Sequence, residues 1–441
     1  MCLINLICAA TVFLRYRKEE IHFFDAEKTF PKTTSLATHY LATLFATGLL
    51  GIGFEVILIR LLSQVMENTV YSFSNVLIIY LLGTTVGAAL YRRLASKKEA
   101  DSLLGVILSL LSVTCLISAT LIPWIPDIVV ITGKGIGGEL LISTITLFLP
   151  TLLMGALFAH LMTHVRGRSR GIGTGFGLNT LGSAIAPLLF GVIMLPALGS
   201  KWSLSLIMLG YLFLIPRQSR NRLLKGAVPA ALIVAFLIAP ISFRYVTLED
   251  GDKVISYTEG VMASVAVVGD GNNYHLKINN HFQMGGTTSA YSDRRQTHLP
   301  MLLHPNPEQA LFLGLGTGAT FAAAADYPQL EADGVELVPE IIDTFPWFDK
   351  VNAGLKQADR LNIHIADARR FVSATEAKYD VIIADLFHPA RDGAGSLYST
   401  EHFKAVSDRL NQGGLFCQWL PLYQMDMDTF RLFHHINVHG I

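Results

Sequence analysis

Charge and cysteine are both scarce in this chain of 441 residues. Only 15% of residues are Asp, Glu, Lys or Arg, while 51% are hydrophobic, and the mean hydropathy is +0.44. So little charge excludes a disordered or collagen-like chain, and so oily a composition is foreign to an ordinary soluble enzyme. The four cysteines, Cys2, Cys8, Cys115 and Cys417, form no CxxC pair. Neither a disulfide framework nor a cysteine metal site follows from them.

The formal net charge is zero, yet it conceals two opposite halves. Residues 1–243 hold 19 Lys and Arg against 10 Asp and Glu; residues 244–441 hold 15 against 24. The first half carries seven apolar stretches near 38–62, 70–91, 102–122, 139–162, 172–196, 201–216 and 226–243. Crossing a bilayer takes roughly 20 apolar residues at about 1.5 Å each, so these predict a membrane domain of about seven helices over 36–243. Residues 1–35 read as an extension in which the apolar stretch 2–14 precedes Arg15, Arg17 and Lys18, the reverse of a secretory signal. Basic residues cluster in alternate connections: Arg92, Arg93, Lys97 and Lys98; Arg166, Arg168 and Arg170; Arg217, Arg220, Arg222 and Lys225. Because such loops are retained on the cytoplasmic side, seven spans put the C-terminal half on the opposite side. The expected location is the cell's inner (plasma) membrane, as a multi-pass protein, with the side of the soluble half left open.

Three features inside the helices bear on function. Glu55 is the one carboxylate well inside a span, and intramembrane acids mark either a pair or a pathway. Arg60, near a helix end, offers a structural explanation. Gly83-Thr-Thr-Val-Gly87 and the run from Gly175 to Gly182 suit close helix packing. His160 and His164 have helical ligand spacing but no third ligand nearby, so no metal site is assigned.

After residue 243 the pattern changes. Residues 244–308 read as a small β domain with a hairpin turning at Gly269-Asp-Gly271. From 309 to 441 strands and helices alternate, which predicts a Rossmann-like, doubly wound α/β sheet of the methyltransferase type. Ligands lie at the carboxyl ends of such strands. The first strand ends in Gly314-Leu-Gly316-Thr-Gly318, the second at Glu336, 22 residues beyond Gly314, the third before Asp367 and the fourth at Asp385. Gly314, Gly316 and Ala319 also satisfy a dinucleotide fingerprint, so an NAD-type oxidoreductase stays open on this motif alone. Asp367 can equally be a helix N-cap. So many acids add nothing for a pyrophosphate, but they suit a sulfonium cofactor and an amine.

The segments HLPMLLHPNPEQALFLGLGTG (298–318), DGVELVPE (333–340), IHIADARRF (363–371), YDVIIADLFHP (379–389) and LYSTEHF (397–403) carry a more specific signal. Through them, residues 36–441 resemble the polyamine aminopropyltransferase (spermidine/spermine synthase) family, in its bacterial branch with a membrane-spanning N-terminal half. The resemblance implies decarboxylated S-adenosylmethionine as the donor, with Gly314, Gly316 and Gly318 cradling the nucleoside, Glu336 on ribose and Asp367 at adenine. It further implies Asp385 as the group that takes a proton from the attacking amine, with the Gln283 region aligning substrate. Implied partners are an amine substrate and the bilayer, with no nucleic acid, no metal, and a homodimer allowed. The chain departs from the family where GGGDG has become GLGTG and DxxDP has become Asp385-Leu-Phe-His388-Pro389. Of DGxxQ only Gln283 remains, and an acidic upstream stretch has become TSAYSDR (288–294), leaving Asp293. Such sheets normally continue past a fifth strand, so the expectation is a domain incomplete at its C-terminal end. A transporter, or a sensor that binds a nucleoside or polyamine without turnover, is the alternative reading.

Overall fold

The computed structural model describes residues 34–67, 69–94, 100–133, 135–165, 171–216, 219, 222–240, 243–280, 282–356, 358–385, 394–420, 426–428 and 430–431. The 2–14 stretch, the His388-Pro389 pair and most of the helix expected near 426–438 lie outside them.

The N-terminal half is helical: α1 (Thr34–Leu62), α2 (Val70–Leu94), α3 (Ala100–Leu121), a short α4 (Ile125–Thr132), α5 (Ile136–Val165), α6 (Gly171–Ala186), α7 (Leu195–Phe213) and α8 (Arg222–Ile238). Among the described residues five helical stretches, not seven, are long and apolar enough to cross a membrane. The difference has two causes. The fifth and sixth expected segments run together as Ile172–Phe213, through a π-helical turn at Pro187–Met194 where proline offers no amide to the ladder. They are separated only at Gly199, whose φ of 75° breaks the helix. The seventh, Lys225–Ile238, is short.

The glycine motifs serve packing. A Cβ at Gly83 would overlap Thr151 and one at Gly87 would overlap the Leu152 carbonyl, while one at Gly155 would overlap the Thr84 carbonyl, so α2 and α5 touch backbone to backbone. Gly48 and Gly182 bring α1 and α6 together in the same way. Outward-facing Leu77, Ile78, Leu81, Leu82, Leu188 and Ile193 leave an apolar surface around the bundle. His160 bonds the Tyr91 hydroxyl at 3.1 Å and stacks near His164.

The soluble half docks on one end of this bundle. Arg60 donates to the carbonyls of Met262 (2.6 Å) and Gly260 (3.3 Å) and to Asn279 Oδ1 (3.3 Å). It is therefore a tether to the β domain rather than a partner for Glu55, which corrects the structural pair expected from sequence. Glu259 accepts from the Ser200 amide and hydroxyl, both at 3.0 Å, at the restart of the helix after Gly199. Because α1 ends and the post-Gly199 helix begins at this face, the opposite face holds the end of α2 with Arg92 and Arg93, the end of α5, the start of α6 and the start of α8 with Lys225.

Four antiparallel strands, β1 (Lys253–Glu259), β2 (Ser264–Gly269), β3 (Tyr274–Ile278) and β4 (Phe282–Gly286), form the β domain in the order β1-β2-β3-β4. Val265, Val267 and Leu276 pack against Val338, Ile341 and Phe348 of the following domain, so the two share a core. After α9 (Ala290–Leu303) come β5 (Gln309–Leu313), the single turn α10 (Ala319–Ala322), β6 (Glu331–Glu336), β7 (Leu361–Ile365), α11 (Ala368–Ala374), β8 (Tyr379–Ala384), α12 (Thr400–Ser407) and β9 (Leu410–Gln418). The five strands are all parallel, in the order β7-β6-β5-β8-β9. This is the doubly wound sheet expected from the sequence. Strand order reverses between β5 and β8, which opens a crevice beyond their carboxyl ends.

Candidate active site

Both strands at the switch point deliver chemistry into that crevice. β5 runs into the loop Gly314–Gly318, and β8 ends immediately before Asp385, whose amide is held by the Leu313 carbonyl at 3.0 Å. The resulting cleft is lined by Met284, Asp293, Gly314, Leu315, Gly316, Thr317, Thr320 and Asp385. Glycine is obligatory in the loop. Gly316 has φ 52° and a Cβ there would meet the Met284 carbonyl at 3.0 Å; Gly318 has φ 80° and would press on Leu355 and Phe345.

Asp385 is buried, 7% exposed. One carboxylate oxygen accepts from the Thr320 hydroxyl at 2.7 Å, while Oδ1 has no hydrogen-bond partner among the described residues. Burial pushes its pKa up to about 6, with Asp293 adding to the rise and the Thr320 and Gln296 side chains opposing it. Asp293 is itself raised by burial and accepts from Ser289 at 2.9 Å. Two carboxyls therefore face one cleft with no lysine or arginine among its described lining residues, an arrangement that favours a cationic guest.

Glu336 is 4% exposed, and both its oxygens are engaged by backbone amides at 3.0 Å: Leu315 on one side and Val338 on the other. Burial raises its pKa and these amides oppose the rise. Its carboxylate thus staples the glycine loop to the end of β6, a role the sequence did not disclose. Asp367 caps α11, accepting from the Arg370 amide at 3.0 Å. It lies exposed on an open groove with Arg369, Arg370, Ser373 and Ser396, outside the Asp385 cleft. Gln283 is also outside it. Its amide bonds His275 at 2.9 Å on the exposed side of β4, whereas Met284, the next residue and so on the opposite face of the strand, lines the cleft. Thr320 is the residue sequence reasoning missed. It is a plain threonine two positions past the glycine loop, and only the fold aims it at Asp385.

The site is thus a glycine loop and a buried carboxylate at the switch point of a Rossmann-like parallel α/β sheet, the arrangement of a transferase-type α/β enzyme. Residues 290–428 match the spermine/spermidine synthase domain model. Over 407 residues the chain is 26% identical to polyamine aminopropyltransferase 2 of Aquifex aeolicus, a match covering 87% of this chain and 79% of that one. It is 31% identical over 156 residues to the polyamine aminopropyltransferase of Methanocaldococcus jannaschii, covering 34% of this chain and 53% of that one. A spermidine synthase solved with the transition state analogue AdoDATO aligns at a TM-score of 0.39 and 23% identity, over 43% of this chain and 65% of that chain. Residues 290–428 thus match a spermine/spermidine synthase domain, and most of the chain is similar to a polyamine aminopropyltransferase. The chain spans about half the length of the Methanocaldococcus relative.

Proposed function

We propose that the soluble half transfers an aminopropyl group from decarboxylated S-adenosylmethionine to an amine, while the helical half anchors it in the cell membrane as a multi-pass protein. The observation that carries this reading is Asp385, a buried carboxylate with an unpartnered oxygen and a raised pKa, beside Asp293 and the glycine loop.

The chemistry is displacement at carbon. The amine nitrogen forms a bond to the methylene next to the sulfonium sulfur; the C–S bond breaks, sulfur keeps the electron pair, and methylthioadenosine leaves. The amine must reach the carbon uncharged. An ordinary aspartate is a weak base, whereas a carboxylate with a pKa of about 6 binds the departing proton better and is still ionised at neutral pH. Thr320 fixes the orientation of Asp385, and Asp293 adds negative potential for the cationic acceptor and sulfonium. Gly316 and Gly318 let the donor approach backbone. Glu336 serves the ribose end of the site by holding that backbone in place, with Asp367 available at the outer edge.

Full-length protein incubated with the donor and a panel of amines should release methylthioadenosine. Absence of release from folded protein with every amine would reject the reading.

A further inference from the structure

One sizeable cavity among the described residues lies outside the soluble half. It occupies about 640 Å³ between α1, α2, α5, α6 and α7, running along α2 from Tyr80 to Arg92 at the face opposite the soluble half. At about 1.5 Å per residue this is roughly 18 Å of helix. It is therefore remote from Asp385 and separate from the active cleft.

Its polar lining has a definite sense. The Thr47 hydroxyl donates to the Leu44 carbonyl at 3.0 Å, and the Thr84 hydroxyl donates to the Tyr80 carbonyl at 3.0 Å. The Asn179 amide nitrogen donates to the Leu44 carbonyl at 2.9 Å. With those donors engaged by backbone, the Thr47 and Thr84 hydroxyls and the Asn179 carbonyl oxygen offer lone pairs inward, and the Thr85 and Ser183 hydroxyls can each accept as well as donate. Tyr211 is fully buried, lines the cavity, and its hydroxyl has no hydrogen-bond partner among the described residues. A buried phenol without a partner is destabilising unless a guest supplies the bond.

The nearest acid, Glu55, stands just beyond the inner end of the lining. Gly48, Gly51 and Ile52 of α1 line the cavity, and Glu55 follows at the next i+3/i+4 position on the same helix face. Glu55 is half-buried, interacts electrostatically with Tyr80, and makes no hydrogen bond among the described residues. Arg92, the one basic residue among the described lining residues, is exposed at the distal rim, where water and salt screen it.

We infer that this cavity binds a linear alkylammonium, its charged head toward Glu55 and Tyr80, its chain along the apolar wall of α2 and α5. A slot with several hydroxyl and amide acceptors and a carboxyl beyond its inner end suits a guest that is cationic and donates hydrogen bonds. A neutral diol or a dicarboxylate lacks the charge or has the wrong one. The inference does not depend on turnover in the soluble half.

The test uses full-length protein in detergent carrying Asp385→Asn, so that the active cleft is disarmed, with 1,8-diaminooctane as the probe in equilibrium dialysis. Saturable binding is expected, weakened at least tenfold by Glu55→Gln and about threefold by Tyr211→Phe, and not displaced by 1,8-octanediol or suberate. Unchanged affinity in Glu55→Gln, or displacement by the diol at equal concentration, would overturn it. Should Glu55→Gln fail to elute as a monodisperse species, the Tyr211→Phe affinity and the competitor series decide, with no loss in the first or diol displacement in the second counting against the site.

Discussion

Asp385→Asn separates the two things a buried catalytic carboxylate does. In the folded chain Asp385 holds its proton up to about pH 6, against 3.8 for an ordinary aspartate. A rise of about two pH units, at roughly 1.36 kcal/mol for each, corresponds to about 3 kcal/mol. The sign follows from proton counting. Between those two pH values the folded state binds more protons than the unfolded one, so stability falls as pH rises; above about pH 6 the cost is constant, and below about pH 4 it vanishes. Asparagine removes the charge but leaves an amide where Oδ1 had no partner, a cost of about 1–2 kcal/mol. The net gain at about pH 8 is about 1–2 kcal/mol, or on the order of 5 °C in the melting of a domain this size. At about pH 4 the gain disappears and the amide cost remains. Methylthioadenosine release should meanwhile drop by about 10²–10⁴-fold, the usual worth of a positioned base. Thermal melts of full-length protein at both pH values, with release measured at the higher one, check this. A variant less stable than the parent at the higher pH, or equally stabilised at both, would refute the argument that burial sets the Asp385 pKa.

Other perturbations probe other parts of the same scheme. The release rate of the unaltered protein should rise with pH through about 6 as Asp385 ionises, and a flat profile across that range would remove Asp385 as base. Gly316→Ala forces a Cβ against the Met284 carbonyl at positive φ, so donor affinity measured by calorimetry should fall at least tenfold. Arg60→Met deletes three hydrogen bonds between the halves, and limited proteolysis of the 240–252 connection should accelerate several-fold with release per folded molecule little changed. A C-terminal reporter fusion tests orientation. Arg92, Arg93 and Lys225 mark the face opposite the soluble half, so a reporter active on the non-cytoplasmic side is expected, and cytoplasmic activity would reject the charge rule for this chain.

Much of the architecture is legible in advance because it is written in periodicity. Apolar runs of about 20 residues can only be buried helices or spans, and the strand–helix alternation after residue 309 admits a parallel sheet and little else. What periodicity misses are features set by contact across the chain. It does not show that residues 172–213 run on as helix interrupted only at Gly199, because a glycine breaks a helix or continues it according to what it meets, here Glu259. Motif alone puts Gln283 at the site, yet strand alternation gives that position to Met284.

The sequence by itself determined the division into an apolar basic half and an acidic α/β half, the glycine loop after β5, and the strand-end acids Glu336, Asp367 and Asp385. Each of these is a local pattern: hydropathy, spacing, or the residue that ends a strand. Only the tertiary structure decided which acids share a cleft. It gathered Asp385 with Asp293 and Thr320, left Asp367 capping a helix, closed Glu336 onto the backbone, and gave Arg60 to the β domain instead of Glu55. Apart from the Asp367 cap, a local bond to the Arg370 amide that the sequence already allowed, those assignments depend on contacts between residues far apart along the chain, which no local spacing encodes.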